Sequence, residues 1–158
     1  MSSRFLTFIA AAVAVAGCGS SAAPEASMAP AAPKLTTCDE VAYTPKNPPH
    51  FVHPTQNFYA PDAKDAPAPR DIEHLLLNDN AVVVSYPASA TRAIRDRLAE
   101  WASQQVAVVV VPDRRQTAPV QAKIATAQLT CDGVDTSQLT AFAAKRGTGT
   151  AVQHPDEG

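Results

Sequence analysis

The chain has no apolar stretch long enough to cross a bilayer. A membrane helix needs ~20 consecutive apolar residues. Aromatic residues make up only 6% of the sequence, so platforms for stacking bases are not expected. Basic residues are scattered, and Arg114-Arg115 is the only tight pair placed in a loop. With a formal net charge of −2, the chain lacks the basic stripe of a nucleic-acid binder. It holds no phosphate-cradling P-loop and no GxGxxG turn. No GxSxG elbow surrounds Ser85 or Ser89. There are no internal repeats and no CxxC pair of the kind that closes a zinc site. Together these absences exclude the common nucleotide, nucleic-acid and serine-hydrolase readings. Asp71-Glu73 or Asp79 could pair as carboxylates, but surface solvation is the ordinary explanation for each.

What is present begins at the amino terminus. Arg4 gives a short positive region, and an uncharged, mostly apolar run follows from Phe5 to Ala16. At about 12 residues this run suits the apolar core of a signal peptide. It leads into Val15-Ala16-Gly17-Cys18, a small-residue cleavage sequence ending in cysteine that resembles the bacterial lipobox. Residues 1–17 are therefore expected to be a signal peptide, with diacylglyceryl and palmitate attached at Cys18. Lipid would be the anchor, holding the protein on the extracytoplasmic face of the cell membrane. Residues 18–36 are nearly all Ala, Ser, Pro and Gly. Such a segment buries too little surface to offset its ordering entropy and is expected to be a disordered tether. It would reach roughly 25 Å from the bilayer.

The remaining ~120 residues suffice for one core. With Cys18 assigned to lipid, Cys38 and Cys131 are left in an exported protein, and they are expected to form a disulfide. Two free thiols or two metal ligands are the alternatives.

From Leu35 to Arg70 the chain is Pro-rich and lacks period, which predicts an extended arm. A short helical turn is expected over Asp71 to Asn78, around Ile72, Leu75 and Leu76. AVVVSY (Ala81 to Tyr86) and VAVVVV (Val106 to Val111) read as buried strands, each stopped by a proline. Between them Ile94, Leu98 and Trp101 fall on one helical face, and Ser89 is the expected N-cap of a helix running to about Gln104. This predicts a strand–helix–strand crossover. Gln121 to Leu129 alternates and reads as a third strand, after a polar loop over Asp113 to Pro119. Asp135, with Gln138 three residues on, caps a last helix to Arg146, and Gly147 ends it. Residues 37–147 would form the domain and 148–158 a disordered tail. The fold class is α+β, one small domain with a mixed sheet, helices packed mainly on one side and a long Pro-rich N-terminal arm.

Several short motifs occur in a fixed order. They are Asn47-Pro48-Pro49, then His53, Asn57-Phe58-Tyr59, Glu73-His74 and the strand VVVSYP. This order resembles the DUF3105 family of bacterial secreted and membrane-anchored proteins, from about Thr44 to Arg146. The family pattern is close to NPPxSGPH, GxY and HxLEHG ahead of a VVIxYxP strand, and its later strands are similar to Val106–Pro112 and Ala122–Leu129 here. The resemblance implies the fold and candidate site residues, and no activity. In this chain the family's first motif His falls on Arg70, and the Gly after its second His falls on Leu75. His50-Phe51-Val52 stands where the family has Ser-Gly-Pro. Arg70 thereby removes the first ligand of an HxxEH zinc motif.

His50, His53, Glu73 and His74 survive as a candidate set. Imidazoles with a carboxylate suit copper or zinc. The arm would have to fold back onto the Glu73-His74 turn to close such a site. The plainer reading is that Glu73 and His74 hydrogen-bond the start of a strand while the histidines of the arm stay solvated. The function expected is thus a non-enzymatic cell-envelope lipoprotein, a binding or interaction module. Its partner would be an envelope protein or a small ligand, with no nucleic acid and no resident cofactor. The alternative is a copper- or zinc-binding lipoprotein using the His/Glu cluster.

Overall fold

The computed structural model describes residues 35–46, 48 and 52–147. The chain separates into two units, residues 1–33 and 34–158. The expected signal peptide, the expected lipid site Cys18, the tether as far as Lys34, His50 and the tail from 148 lie outside the described residues. Among the described residues no helix is long and apolar enough to cross a membrane.

The second unit is α+β. Among the described residues its five strands are β1 (Cys38–Ala42), β2 (Val82–Pro87), β3 (Val108–Asp113), β4 (Val120–Lys123) and β5 (Ala127–Cys131). They form one mixed sheet in the order β1-β5-β4-β2-β3. The helices are α1 (His74–Asn78), which follows a 3-10 turn at Pro69–Ile72, α2 (Arg92–Ser103) and α3 (Thr136–Ala143). The expected crossover is present, since β2 and β3 are parallel neighbours joined through α2. Every other strand pairing is antiparallel.

β2 and β3 are unbroken β-branched runs because both faces of the sheet are covered there. Val82, Val84, Val108 and Val110 pack with Leu98 and Trp101 of α2 and with Leu139 and Phe142 of α3. Val83, Val109 and Val111 face the opposite side, against Ile72, Leu75, Leu76 and Tyr59. The two longer helices therefore share one face, and the arm with short α1 covers the other. The cap of α3 is as expected, with Asp135 accepting from the backbone N–H groups of Ser137 and Gln138. Hydrogen bonds from the Ser137 hydroxyl and then from Gln138 hold this exposed carboxyl down at about 2.

Four local expectations are corrected. The arm is not all loop. Cys38–Ala42 is a strand, paired antiparallel to β5 with Cys38 directly opposite Cys131. Its side chains are mostly exposed, so it carries no apolar alternation that a sequence reading could detect. The strand expected over Gln121 to Leu129 is instead a hairpin, β4 and β5, folded at Ile124–Ala127, where the Ile124 amide donates to the Ala127 carbonyl (2.9 Å). That turn lacks the Asn-Gly or Asp-Gly signal that usually marks one. The α2 cap is Thr91, whose hydroxyl accepts from the Ile94 amide. Ser89 lies in a preceding turn closed from the Ala90 amide to the Pro87 carbonyl. Last, β3 starts at Val108 rather than Val106, because Ala107 takes a left-handed φ of 53°.

The arm is fastened along the β3 edge of the sheet. Phe58 bridges Val110, with the Tyr59 amide donating to the Val110 carbonyl (2.9 Å) and the Val110 amide to the Asn57 carbonyl (2.8 Å). Pairing an otherwise open edge strand also blocks edge-to-edge association. The Asn57 side chain donates to the Ala102 carbonyl at the end of α2 (3.2 Å). The Tyr86 hydroxyl donates to the Tyr59 carbonyl (2.5 Å), and burial pushes its pKa up to about 12. Phe58 stacks on Tyr86 with ring centroids 5.8 Å apart. The Asn-Phe-Tyr motif is thus the clamp that lays the arm, and with it His53, over the sheet.

Candidate functional site

Two further contacts carry His53 to its place. The Val52 amide donates to the Asp71 carbonyl (3.1 Å), joining the arm to the turn ahead of α1. The Tyr59 hydroxyl accepts from the amides of Thr55 (2.8 Å) and Gln56 (3.2 Å), which curls the intervening chain. His53 then meets His74 edge to face, with ring centroids 4.9 Å apart. His74 opens α1 and is buried, whereas His53 is exposed.

A third group joins them. Asp79 follows α1, and its amide and that of Ala81 both donate to the Leu75 carbonyl (3.1 and 3.0 Å). Asn80 makes this reversal possible with a φ of 50°, a left-handed conformation that Asn tolerates better than most residues. The doubling-back brings the Asp79 carboxylate toward the imidazoles. One ligand atom from each of His53, His74 and Asp79 lies within 4.8 Å of the others. Around a tetrahedral zinc with bonds of ~2.0–2.1 Å, such atoms stand roughly 3.4 Å apart. Closing the set requires a shift of about an ångström, which exposed His53 can supply. Oδ2 of Asp79 is buried and accepts no hydrogen bond among the described residues. A cleft of about 310 Å³ lined by His53, Asn57, Leu75, Asp79 and Val109 opens beside the group.

Of the four expected ligands, the structure brings together His53 and His74, and His50 lies outside the described residues. Glu73 is turned elsewhere. It directly precedes α1, and successive helical positions point about 100° apart, so Glu73 and His74 address different neighbours. The Glu73 carboxylate accepts from the Tyr43 hydroxyl, from Lys123 Nζ (2.8 Å) and from the Lys46 amide (3.2 Å). Lys123 also donates to the Tyr43 hydroxyl (3.0 Å).

This second cluster is tightly held. Side-chain exposure is 15% for Lys123 and 10% for Glu73. Burial opposes the charge on Glu73, but the hydrogen bonds from Lys123, Tyr43 and the Lys46 amide outweigh it and hold the carboxyl below its ordinary range. Burial likewise opposes the ammonium of Lys123, and its bonds to Glu73 and Tyr43 raise it above its ordinary range. Burial, followed by the hydrogen bond to Glu73, raises the Tyr43 phenol.

Asp79, Tyr43 and Lys123 were not among the expected site residues. Asn78-Asp79-Asn80 reads as punctuation, and no spacing rule ties Asp79 to a histidine five residues back across a helix end. A weak signal did exist for Lys123. It falls on the alternate face of a strand, and in a central strand a lysine needs a buried partner.

A family model described as "Protein of unknown function (DUF3105)" matches residues 32–158. Comparison with curated proteins and with solved structures finds no match. The family match spans all the motifs whose positions have just been described, including the Asn-Phe-Tyr clamp, the Glu73-His74 step and the VVVSYP strand. The chain belongs to the DUF3105 family, a family of unknown function.

Proposed function

We propose that this chain is a lipoprotein of the cell envelope, anchored through Cys18 on the extracytoplasmic face, whose domain binds zinc or copper and catalyses no reaction. The observation that carries the metal reading is the convergence of His53, His74 and Asp79, one ligand atom each, within 4.8 Å. Two imidazoles and a carboxylate match the donor preferences of both ions. The buried Oδ2 of Asp79, which accepts no hydrogen bond among the described residues, is consistent with a carboxylate placed for a cation. His53 reaches the group from an exposed arm, which leaves a route for the ion. The envelope reading is supported by the sequence Val15-Ala16-Gly17-Cys18 behind an apolar run, and by the Cys38–Cys131 disulfide, which is a bond of oxidising compartments.

Calorimetric titration of the full chain with Zn(II) and Cu(II) tests the metal reading. One ion should bind per chain, and His53→Ala and Asp79→Asn should each weaken binding by about tenfold or more. His53 is exposed, so its variant should fold as the parent does. No saturable binding of either ion, or equal binding by parent and both variants, would end the reading. Mass spectrometry of protein from intact cells tests the anchor. The amino-terminal peptide should begin at Cys18 and carry acyl chains, and Cys18→Ala should leave the protein unlipidated. A peptide that starts elsewhere or lacks lipid would refute it.

A further inference from the structure

A second, larger cleft lies away from the histidines. It holds about 600 Å³ and runs between the 61–70 stretch of the arm and the far ends of β3 and β4. None of its lining residues is His53, His74 or Asp79. Its wall on the arm side is mostly alanine and proline, among them Ala63, Ala66 and the buried Pro67, interrupted by Asp62, Lys64 and Arg70. Five cations line it: Lys64, Arg70, Arg114, Arg115 and Lys123. Three carboxylates, Asp62, Glu73 and Asp113, accompany them.

The distribution of ion pairs makes this charge available. Lys123 is paired with Glu73, and Arg70 with Asp71. Lys64, Arg114 and Arg115 form no ion pair among the described residues. Arg114 and Arg115 are held in a tight turn after β3, where the Arg115 amide donates to the Asp113 carboxylate (2.8 Å) and the Gln116 amide to the Asp113 carbonyl (3.4 Å). Gln116 anchors that turn to the sheet, donating to the Ser85 carbonyl (2.9 Å) and accepting from the Ser85 hydroxyl (2.6 Å). The adjacent arginines are therefore presented from a fixed loop. Lys123 adds a semi-buried donor to the cleft. An ammonium has three N–H bonds, and two are spent on Glu73 and Tyr43, which leaves one.

We propose that this cleft binds a small organic molecule bearing a phosphate group, its oxygens held by Arg114, Arg115 and Lys64 with Lys123 beneath, and its organic part against the alanine–proline wall. Guanidinium forks match phosphate bidentately, and three unpaired cations suit a multiply charged group better than a single carboxylate. The volume exceeds what a bare ion fills and is in the range of small-molecule sites.

The test uses the full chain and four probes: pyrophosphate, glycerol 1-phosphate, acetate, and vesicles of phosphatidylglycerol at matched phosphate concentration. Pyrophosphate or glycerol 1-phosphate should bind saturably at one per chain. The Arg114→Gln/Arg115→Gln double variant, both sites being exposed, should keep the parent melting temperature and bind about tenfold or more weakly. NMR shifts on titration should centre on 62–70, 112–116 and 123. Three results would each overturn the assignment. They are no saturable binding of either phosphate, equal binding by the double variant, and acetate binding as tightly as the phosphates. Binding to vesicles alone would also overturn it, since the arginines would then face a membrane.

Discussion

Replacing both Cys38 and Cys131 by Ser is expected to lower the unfolding free energy by about 4–5 kcal/mol. The two residues face each other across β1 and β5 and are bonded, with a sequence separation of 93. A crosslink spanning so long a loop removes much of the freedom of the unfolded chain. Domains of this size are stable by only ~5–15 kcal/mol, so the loss is a large fraction of the whole. The structure adds a folded-state reason. β1 is an edge strand with mostly exposed side chains, and little apolar burial would hold it once the bond is gone. Its end leads directly to Tyr43, whose amide donates to the Thr126 carbonyl (3.0 Å) and whose hydroxyl donates to Glu73. Loosening β1 should therefore loosen the buried Glu73–Lys123 cluster as well. Urea unfolding with and without reductant measures the effect. Reduction should move the parent midpoint down by as much as the double variant, and an unchanged midpoint would refute the expectation.

Glu73→Ala is expected to cost about 3–5 kcal/mol, because it leaves the Lys123 ammonium buried without its counter-charge. The same change removes the acceptor for the Lys46 amide and the Tyr43 hydroxyl. Much of this cost belongs to the stranded partner rather than to the pair itself. Glu73→Leu/Lys123→Met should accordingly recover most of it, since apolar groups of similar shape often substitute for a buried pair at little cost. If the double variant is as unstable as the single, the cluster does not act as a charge pair. The pH dependence has a fixed sign. The folded carboxyl of Glu73 lies below its ordinary value of 4.5. Its stabilisation is therefore present above that value and lost as pH falls through the lower folded one. The folded ammonium of Lys123 lies above its ordinary value of 10.5, so its share is present below that value and lost as pH rises through the higher one. The stability difference between parent and Glu73→Ala should be widest between these limits and should narrow in acid. A difference that stays constant down to the acid transition would show that packing, not charge, holds the cluster.

The fold was legible where one segment alone carries the pattern. The runs at 82–86 and 108–111 read as buried strands because each is covered on both faces. Ile94, Leu98 and Trp101 mark α2, and Asp135 marks the start of α3, through local periodicity and capping. What failed to read depends on distant partners. β1 is a strand because β5 and a disulfide hold it, and its own five residues carry no alternation. The β4–β5 hairpin was hidden because the turn at Ile124–Ala127 carries neither Gly nor Asn, and the apolar alternation runs on through it.

The site divides in the same way. Residue type and the motif order shared with the family made His50, His53, Glu73 and His74 candidates, since imidazoles with a carboxylate suit copper or zinc. Their grouping was a matter of tertiary structure. The helix start sends Glu73 to Lys123 and His74 to His53, although the two are adjacent in the chain. Asp79 joins only because Asn80 reverses the backbone through a left-handed φ. The sequence by itself determined the fold class and the cysteine pair and named the histidines as candidates, because these follow from composition, period, chemical type and a motif order shared with the family. Only the tertiary structure decided which donors meet, because that depends on strand register, a fastened arm and one backbone reversal that no local pattern encodes.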